Sequence, residues 1–95
     1  MKNRKLFELS AIVKGNVQGI GFRATTKLFA DRLKLTGFVR NLPSGDVEIC
    51  AQGEKSQLQQ LLSELKQEFS SSYIEEVVCD VLPTDKPYLD FRIVY

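Results

Sequence analysis

Apolar residues recur along this chain with two different spacings, and the order of those spacings leaves few folds open. Between Leu58 and Phe69 they return at every third or fourth position, which predicts an amphipathic helix. Four other segments alternate apolar and polar residues, which is typical of half-buried strands. These segments are residues 7–13, 47–51, 77–81 and 91–95.

Two further elements complete the pattern. Residues 22–35 have apolar residues along one helical face, and we expect Gly37 to end this helix in the left-handed conformation. Residues 38–41 predict a short strand, joined by a Pro-Ser-Gly-Asp turn to the strand at 47–51. The order βαββαβ, with an extra short C-terminal strand, predicts an α+β fold. In this ferredoxin-like sandwich, two helices cover one face of a mainly antiparallel sheet.

The length of 95 residues predicts a single domain, 1–95, whose core needs neither metal nor disulfide. No apolar run is long enough to span a membrane. The N-terminal residues are basic, but Glu8 and Ser10 interrupt the apolar residues that follow, which argues against a signal peptide. We therefore expect a cytoplasmic protein, and a monomer at this size.

The net charge of +1 gives no general attraction to nucleic acid or to a membrane surface, and we expect neither as a partner. The distribution is uneven, because residues 1–40 hold nine of the 13 basic residues and only two of the 12 acidic ones. The first half of the chain is therefore the place to look for an anion site.

The absence of histidine and the small number of cysteines restrict the kinds of catalytic site that the chain can form. There is no histidine, which excludes Ser-His and Cys-His nucleophile pairs and zinc sites with imidazole ligands. Cys50 and Cys79 are too few for a disulfide framework, and neither begins a Cys-x5-Arg phosphatase loop. We expect both to be small, buried or half-buried apolar residues on strands, with a fortuitous or regulatory disulfide as the alternative. No metal or cofactor is expected.

A glycine-rich stretch, residues 15–21, lies between the first strand and the first helix, and Arg23 follows in the first helical turn. Glycines allow a loop to turn successive N–H groups inward, and a helix start adds unpaired N–H groups. An arginine fork can hold two phosphate oxygens, so all three features favour a phosphate ligand. A tight turn with a solvated Arg23 is an equal alternative on the residues alone. Neither a Walker loop nor a dinucleotide fingerprint fits the spacing.

Two stretches of the chain resemble the two signatures of the acylphosphatase family. The first signature, Gly-x-Val-Gln-Gly-x-x-Phe/Tyr-Arg, is matched by Gly15, Val17, Gln18, Gly19, Phe22 and Arg23. The second, which centres on an asparagine followed by a hairpin, is matched by Gly37, Phe38, Val39, Arg40, Asn41, Gly45, Val47 and Gly53. The resemblance continues to the final strand and covers nearly the whole chain. Two long signatures at the right separation are a specific signal.

The resemblance implies hydrolysis of the carboxyl-phosphate anhydride of an acyl phosphate to a carboxylate and inorganic phosphate. Arg23 would bind the phosphate and Asn41 would orient the attacking water. The loop would supply backbone amides from Gly15, Asn16, Val17, Gln18, Gly19 and Ile20. Inorganic phosphate or sulfate would compete as an anion. Leu42 and the Ala24-Thr25-Thr26 run depart from commoner family members, which leaves substrate contacts and rate in doubt.

This reaction suits a site without histidine or metal. The leaving group is a carboxylate whose conjugate acid has a pKa of roughly 4, so it departs without a general acid. Phosphoryl transfer passes through a loose transition state in most analyses, which leaves the protein mainly positioning and charge stabilisation.

Three alternatives stay open on the sequence. One is a nucleic-acid or small-ligand binding module, although Phe7 and Phe38 fit the core pattern better than a stacking platform. Another is a relative of the acylphosphatase-type domain of hydrogenase maturation factors, which acts on carbamoyl phosphate. The third is a pseudo-enzyme that only binds anions. We expect Arg40, Asp46 and Glu48 to be solvated surface charges, while Tyr95 either is a packing residue or brings its terminal carboxylate near the site.

Overall fold

A computed structural model describes residues 5–95, and its elements follow the predicted order. The N-terminal residues 1–4, part of the argument against a signal peptide, lie outside the described residues. The elements are β1 (Phe7–Gly15), α1 (Phe22–Arg32), β2 (Thr36–Asn41), β3 (Val47–Gly53), α2 (Lys55–Glu68), β4 (Ile74–Pro83) and β5 (Phe91–Val94). None of the helices within residues 5–95 has the length and apolar character needed to cross a membrane.

The strands form one five-stranded sheet in the order β4-β1-β3-β2-β5. Three pairings are antiparallel, between β1 and β3, β1 and β4, and β2 and β3. The short final strand β5 joins the free edge of β2 in the parallel direction. The predicted ferredoxin-like α+β fold with an extra C-terminal strand is thereby confirmed.

The hydrophobic core lies between the helices and one face of the sheet. Leu9, Ala11 and Val13 on β1 stand opposite Ala51, Ile49 and Val47 on β3, and all six side chains are buried. Directly opposed side chains lie on the same face of an antiparallel pair, so these residues define the helix-facing side. The helices cover it with Phe22, Phe29, Ala30, Leu58, Leu61 and Leu65.

The predicted end of the first helix is wrong by three residues. Helix α1 ends at Arg32, and Lys34 rather than a glycine takes the left-handed conformation, with a φ of 60°. The Leu35 N–H then donates to the Ala30 carbonyl at 2.8 Å and the Lys34 N–H donates to that of Asp31, the two bonds of a Schellman ending. The chain can therefore enter β2 already at Thr36, one residue before Gly37.

Phe38 is not a core residue, contrary to the sequence prediction. Its neighbour Val39 is fully buried on the helix-facing side, so Phe38 points to the opposite face, which we call the open face. There its ring contacts the ring of Tyr88 edge-on, with centroids 6.0 Å apart. Phe7 packs against the core as predicted.

The open face is crossed by the segment that connects β4 to β5, residues 84–90, which we call the crossover segment. Because β4 and β5 are the two outer strands of the sheet, this connection has to traverse the strands between them. Gln52 holds it: its amide nitrogen donates to the Lys86 carbonyl at 3.0 Å and to Glu8 Oε1 at 2.8 Å. Its amide oxygen accepts a hydrogen bond from the Tyr88 N–H at 2.9 Å.

The two cysteines lie on opposite faces of the sheet. Cys50 alternates with the core residues of β3 and is buried on the open face. Cys79 stands opposite Ala11 on the helix-facing side of the outer strand β4 and is exposed. Both thiols are free, and this placement rules out a disulfide between them in the folded chain. The prediction of a buried or half-buried strand cysteine therefore holds for Cys50 only.

Candidate active site

A cavity of about 150 Å³ lies where the loop between β1 and α1 meets the carboxyl ends of β2 and β5. The parallel pairing of β2 with β5 brings those two strand ends to the same edge of the sheet. The cavity is lined by Val17, Gly19, Gly21, Phe22, Arg23, Ala24, Asn41, Ile93 and Tyr95. It thus joins residues from both predicted signatures and from the final strand.

The loop reaches the cavity through two glycines in the left-handed conformation. Gly19 and Gly21 have φ values of 79° and 81°, and a Cβ added to either would meet no atom within 4 Å. These positions therefore require glycine for backbone conformation and not for lack of space. Gly21 is the N-cap of α1, and the first helical turn contains no acidic residue. The partially positive helix start thus lies beside the cavity without a local carboxylate to neutralise it.

Arg23 places its guanidinium at the cavity with no carboxylate bound to it. Its Cζ lies 4.8 Å from the centroid of the Tyr95 ring, a cation–π contact, and no ion pair within residues 5–95 involves it. Tyr95 lines the cavity although its side chain is exposed, and the position of its carboxylate stays a prediction. The donor fork of Arg23 is available to an anion.

Asn41 closes the cavity from the sheet side. It is the last residue of β2, opposite the core residue Val47, and so faces the helices. Its Oδ1 is buried, and within residues 5–95 it is the one buried side-chain polar atom that lacks a hydrogen-bond partner. A buried acceptor without a donor costs about 1–3 kcal/mol. A water or ligand that donates to this oxygen would recover that free energy.

The charged residues that lie near Asn41 in the sequence do not line the cavity. Arg40 points to the open face, where its guanidinium pairs with Glu48 and lies over the Phe38 ring. Asp46 lies in the hairpin turn and accepts a hydrogen bond from the Ser44 hydroxyl. These positions agree with the prediction of surface charges, although Glu48 is ion-paired and largely shielded.

Of the six loop residues predicted to bind phosphate, Val17 and Gly19 line the cavity and the others do not. Gly15 is the last residue of β1, paired with Ile74, and a Cβ there would lie 2.2 Å from the Tyr73 carbonyl oxygen. Its glycine is required by strand packing. Asn16 and Ile20 are loop residues away from the lining, with Ile20 packed against the core.

The remaining loop residue, Gln18, has a position that the sequence did not reveal. Its amide nitrogen donates to the carbonyl of Leu42 at 2.8 Å and to that of Asp46 at 2.9 Å. Both acceptors belong to the turn that follows Asn41. The signature identified the residue, but nothing in the local pattern indicates that its side chain reaches a hairpin more than 20 positions away.

The described residues do not bring three or more His, Cys, Asp or Glu side chains together in a way that could hold a metal ion. The cavity itself contains no carboxylate side chain, thiol or imidazole. Its polar side chains are Arg23, Asn41 and Tyr95, and the backbone of the loop and of the helix start borders it. A guanidinium beside a helix start suits an oxyanion.

Comparison with known proteins agrees with this geometry. A model of the Acylphosphatase family matches residues 9–93. An acylphosphatase from Marinobacter nauticus is 42% identical over 84 residues, covering 88% of this chain and 91% of that protein.

Solved structures give the same result. The crystal structure of acylphosphatase from Bacillus subtilis has a TM-score of 0.87 and 34% identity, covering 94% of this chain and 99% of that one. An acylphosphatase structure from Coxiella burnetii has a TM-score of 0.83 and 32% identity, covering 95% of this chain and 94% of that one. The predicted resemblance is confirmed, and the chain belongs to the acylphosphatase family.

Proposed function

We propose that the cavity hydrolyses acyl phosphates to a carboxylate and inorganic phosphate, with Arg23 binding the phosphate and Asn41 orienting water. The observation that carries this proposal is the arrangement around one small cavity. An unpaired guanidinium and a helix start lie on one side, and a buried oxygen that lacks a donor lies on the other. The guanidinium and the helix start suit the phosphate group, and the buried oxygen of Asn41 suits a water molecule.

In the proposed reaction, N–H groups of the loop and the fork of Arg23 hold the non-bridging phosphate oxygens. A water donates a hydrogen bond to Asn41 Oδ1, which aims its oxygen at phosphorus. The new P–O bond forms as the bond between phosphorus and the carboxylate oxygen breaks, and the carboxylate departs with that electron pair. An amide is no base, so the water proton passes to a phosphate oxygen of the substrate.

The predicted substrate class can be tested with two phosphate compounds. We expect turnover of benzoyl phosphate, whose carboxylate leaves unaided, and negligible turnover of p-nitrophenyl phosphate. A chelator should leave the rate unchanged. Carbamoyl phosphate and single-stranded RNA test two of the three alternatives from the sequence, and the third, a pseudo-enzyme, would bind phosphate but hydrolyse neither compound. Failure to hydrolyse benzoyl phosphate, or equal rates on both phosphate compounds, contradicts the proposal.

Two variants separate the roles of the cavity residues. Asn41→Ala should lower kcat on benzoyl phosphate by a hundredfold or more, by analogy with loss of a transition-state hydrogen bond, whose cost is about 10²–10³. Its inhibition constant for inorganic phosphate should stay close to that of the unmodified protein. Arg23→Ala should instead weaken phosphate inhibition by about tenfold to a hundredfold, from the loss of charge-assisted hydrogen bonds. Arg23→Lys should restore little, because the fork is lost.

Arg40→Ala is the matched control for this pair. It removes a neighbouring guanidinium that lies on the open face, so both kcat and phosphate inhibition should stay unchanged. Unimpaired turnover in Asn41→Ala would remove the proposed role of that residue.

We also propose that inorganic phosphate and sulfate compete with substrate, and that the protein is a cytoplasmic monomer. Competition is supported by the guanidinium of Arg23 and the helix start at the cavity, because both suit the phosphate group and not the acyl group. A reducing compartment suits two free cysteines on opposite faces of the sheet. Inhibition kinetics and sedimentation at several protein concentrations test these points.

A further inference from the structure

The side chain of Gln18 connects the two halves of the proposed site. One half consists of the loop between β1 and α1 and of Arg23 in the first turn of α1, and the other half, Asn41, belongs to β2. The amide nitrogen of Gln18 donates to the carbonyls of Leu42 and Asp46, at 2.8 and 2.9 Å. Leu42 directly follows Asn41. A single side chain thus ties the phosphate-binding segment to the strand end that holds the water-orienting amide.

We infer that Gln18 is a positioning residue, which fixes the distance between the bound phosphorus and the water held by Asn41. This inference rests on the proposed function. In-line attack requires reacting atoms about 3–3.5 Å apart, and a misplacement of about 1 Å can cost a hundredfold in rate. Gln18 does not itself line the cavity, so it acts through the two segments that it joins.

The hairpin turn does not depend on Gln18 for its structure, because its own backbone hydrogen bonds already hold it together. The Leu42 N–H donates to the Asp46 carbonyl at 2.8 Å, and the Gly45 N–H donates to the Leu42 carbonyl at 3.0 Å. Each carbonyl therefore keeps a donor when Gln18 is replaced, and neither becomes a buried acceptor without a partner. Replacement should leave the fold and the hairpin intact and free the loop to shift against β2.

The experiment compares Gln18→Leu and Gln18→Glu with the unmodified protein on benzoyl phosphate, with inorganic phosphate as competitive inhibitor. We expect kcat to fall by about tenfold to a hundredfold in both variants. The inhibition constant for phosphate should change by less than about threefold, because Arg23 and the loop stay on one continuous segment. The carboxylate of Gln18→Glu also repels the two carbonyls, so its loss should equal or exceed that of Gln18→Leu.

Gln52→Leu is the matched control. The amide of Gln52 makes the same kind of bridge, to Glu8 and Lys86, but on the open face. Well below its unfolding temperature this variant should keep kcat within about twofold, so a loss confined to the Gln18 variants is specific to the site.

Three outcomes would overturn the inference: unchanged kcat in both Gln18 variants, an equal loss in Gln52→Leu, or a rise in the phosphate inhibition constant that matches the loss in kcat. Absence of turnover in the unmodified protein would instead contradict the proposed function, so the two failures are distinguishable.

Discussion

At the scale of single residues, the chain uses left-handed glycines for two different physical reasons. Gly19 and Gly21 have open space where a side chain would be and need glycine only for their backbone angles. Gly37, with a φ of 135°, also has no space, because a Cβ would lie 1.9 Å from the Cys50 carbonyl oxygen on β3. The second requirement depends on strand packing and cannot be recognised from the residue type.

A pair of substitutions distinguishes the two requirements. Gly45 has a φ of 96° and open space, so Gly45→Ala should lower the free energy of unfolding by about 1–2 kcal/mol, the cost of a left-handed residue. Gly37→Ala adds a clash with backbone and should cost about 3 kcal/mol or more. Urea unfolding measures both values. Equal losses in the two variants would show that β2 and β3 can separate to admit the methyl group.

Several site residues lie together as the sequence predicts. Arg23, Asn41, Val17 and Gly19 meet at one cavity as the two signatures predicted, since each signature lies at an element end that the topology brings together. Their catalytic roles stay predictions. Phe38 was placed on the wrong face because a shift of one position in a strand reverses its side chains, and a short strand gives few alternations to fix the phase.

At the scale of elements, the prediction is accurate where the periodicity is long and weaker at the ends. The leucine spacing predicts helix α2 but not its first turn. The start of the helix is hard to predict because glutamate is an uncommon N-cap residue. Glu54 forms a capping box with Gln57 there. Strand β4 extends from Ile74 to Pro83, beyond its central alternation, because it continues to pair with β1 at both ends.

The crossover segment gives the prediction that belongs to this scale. Gln52 bonds to Glu8, Lys86 and Tyr88, so Gln52→Leu should lower the free energy of unfolding by about 2–4 kcal/mol as these partners lose hydrogen bonds. Denaturant unfolding measures the loss, and hydrogen exchange should speed up at the Tyr88 amide in particular. The loss should be small if Gln52 merely fills space, as leucine has a similar volume.

At the scale of the whole molecule, the free energy of unfolding should fall at alkaline pH as the thiol of Cys50 ionises. Burial, with the nearby negative charge of Glu8 as a further cause, raises the pKa of Cys50 from 9.0 to about 11. The unfolded chain therefore releases this proton at a lower pH than the folded protein does. The contribution of Cys50 is complete below pH 9 and is lost as the pH rises toward 11.

Unfolding free energies measured between pH 8 and pH 11 test this dependence. The fall in stability across that range should be smaller in Cys50→Ala than in the unmodified protein. Cys79→Ala should keep the original slope, because Cys50 remains. Parallel pH curves for all three proteins would contradict a role for the buried thiol.

The placement of β5 has a consequence for when activity appears during folding. This strand supplies Ile93 to the cavity, leads directly to Tyr95, and pairs with β2, so that Phe91 lies opposite the distant Gly37. Pairing between such distant positions is slow, because the entropy of closing a long loop opposes it. The enzyme should therefore become active only once β5 has docked on β2, which makes turnover a direct reporter of the completed sheet.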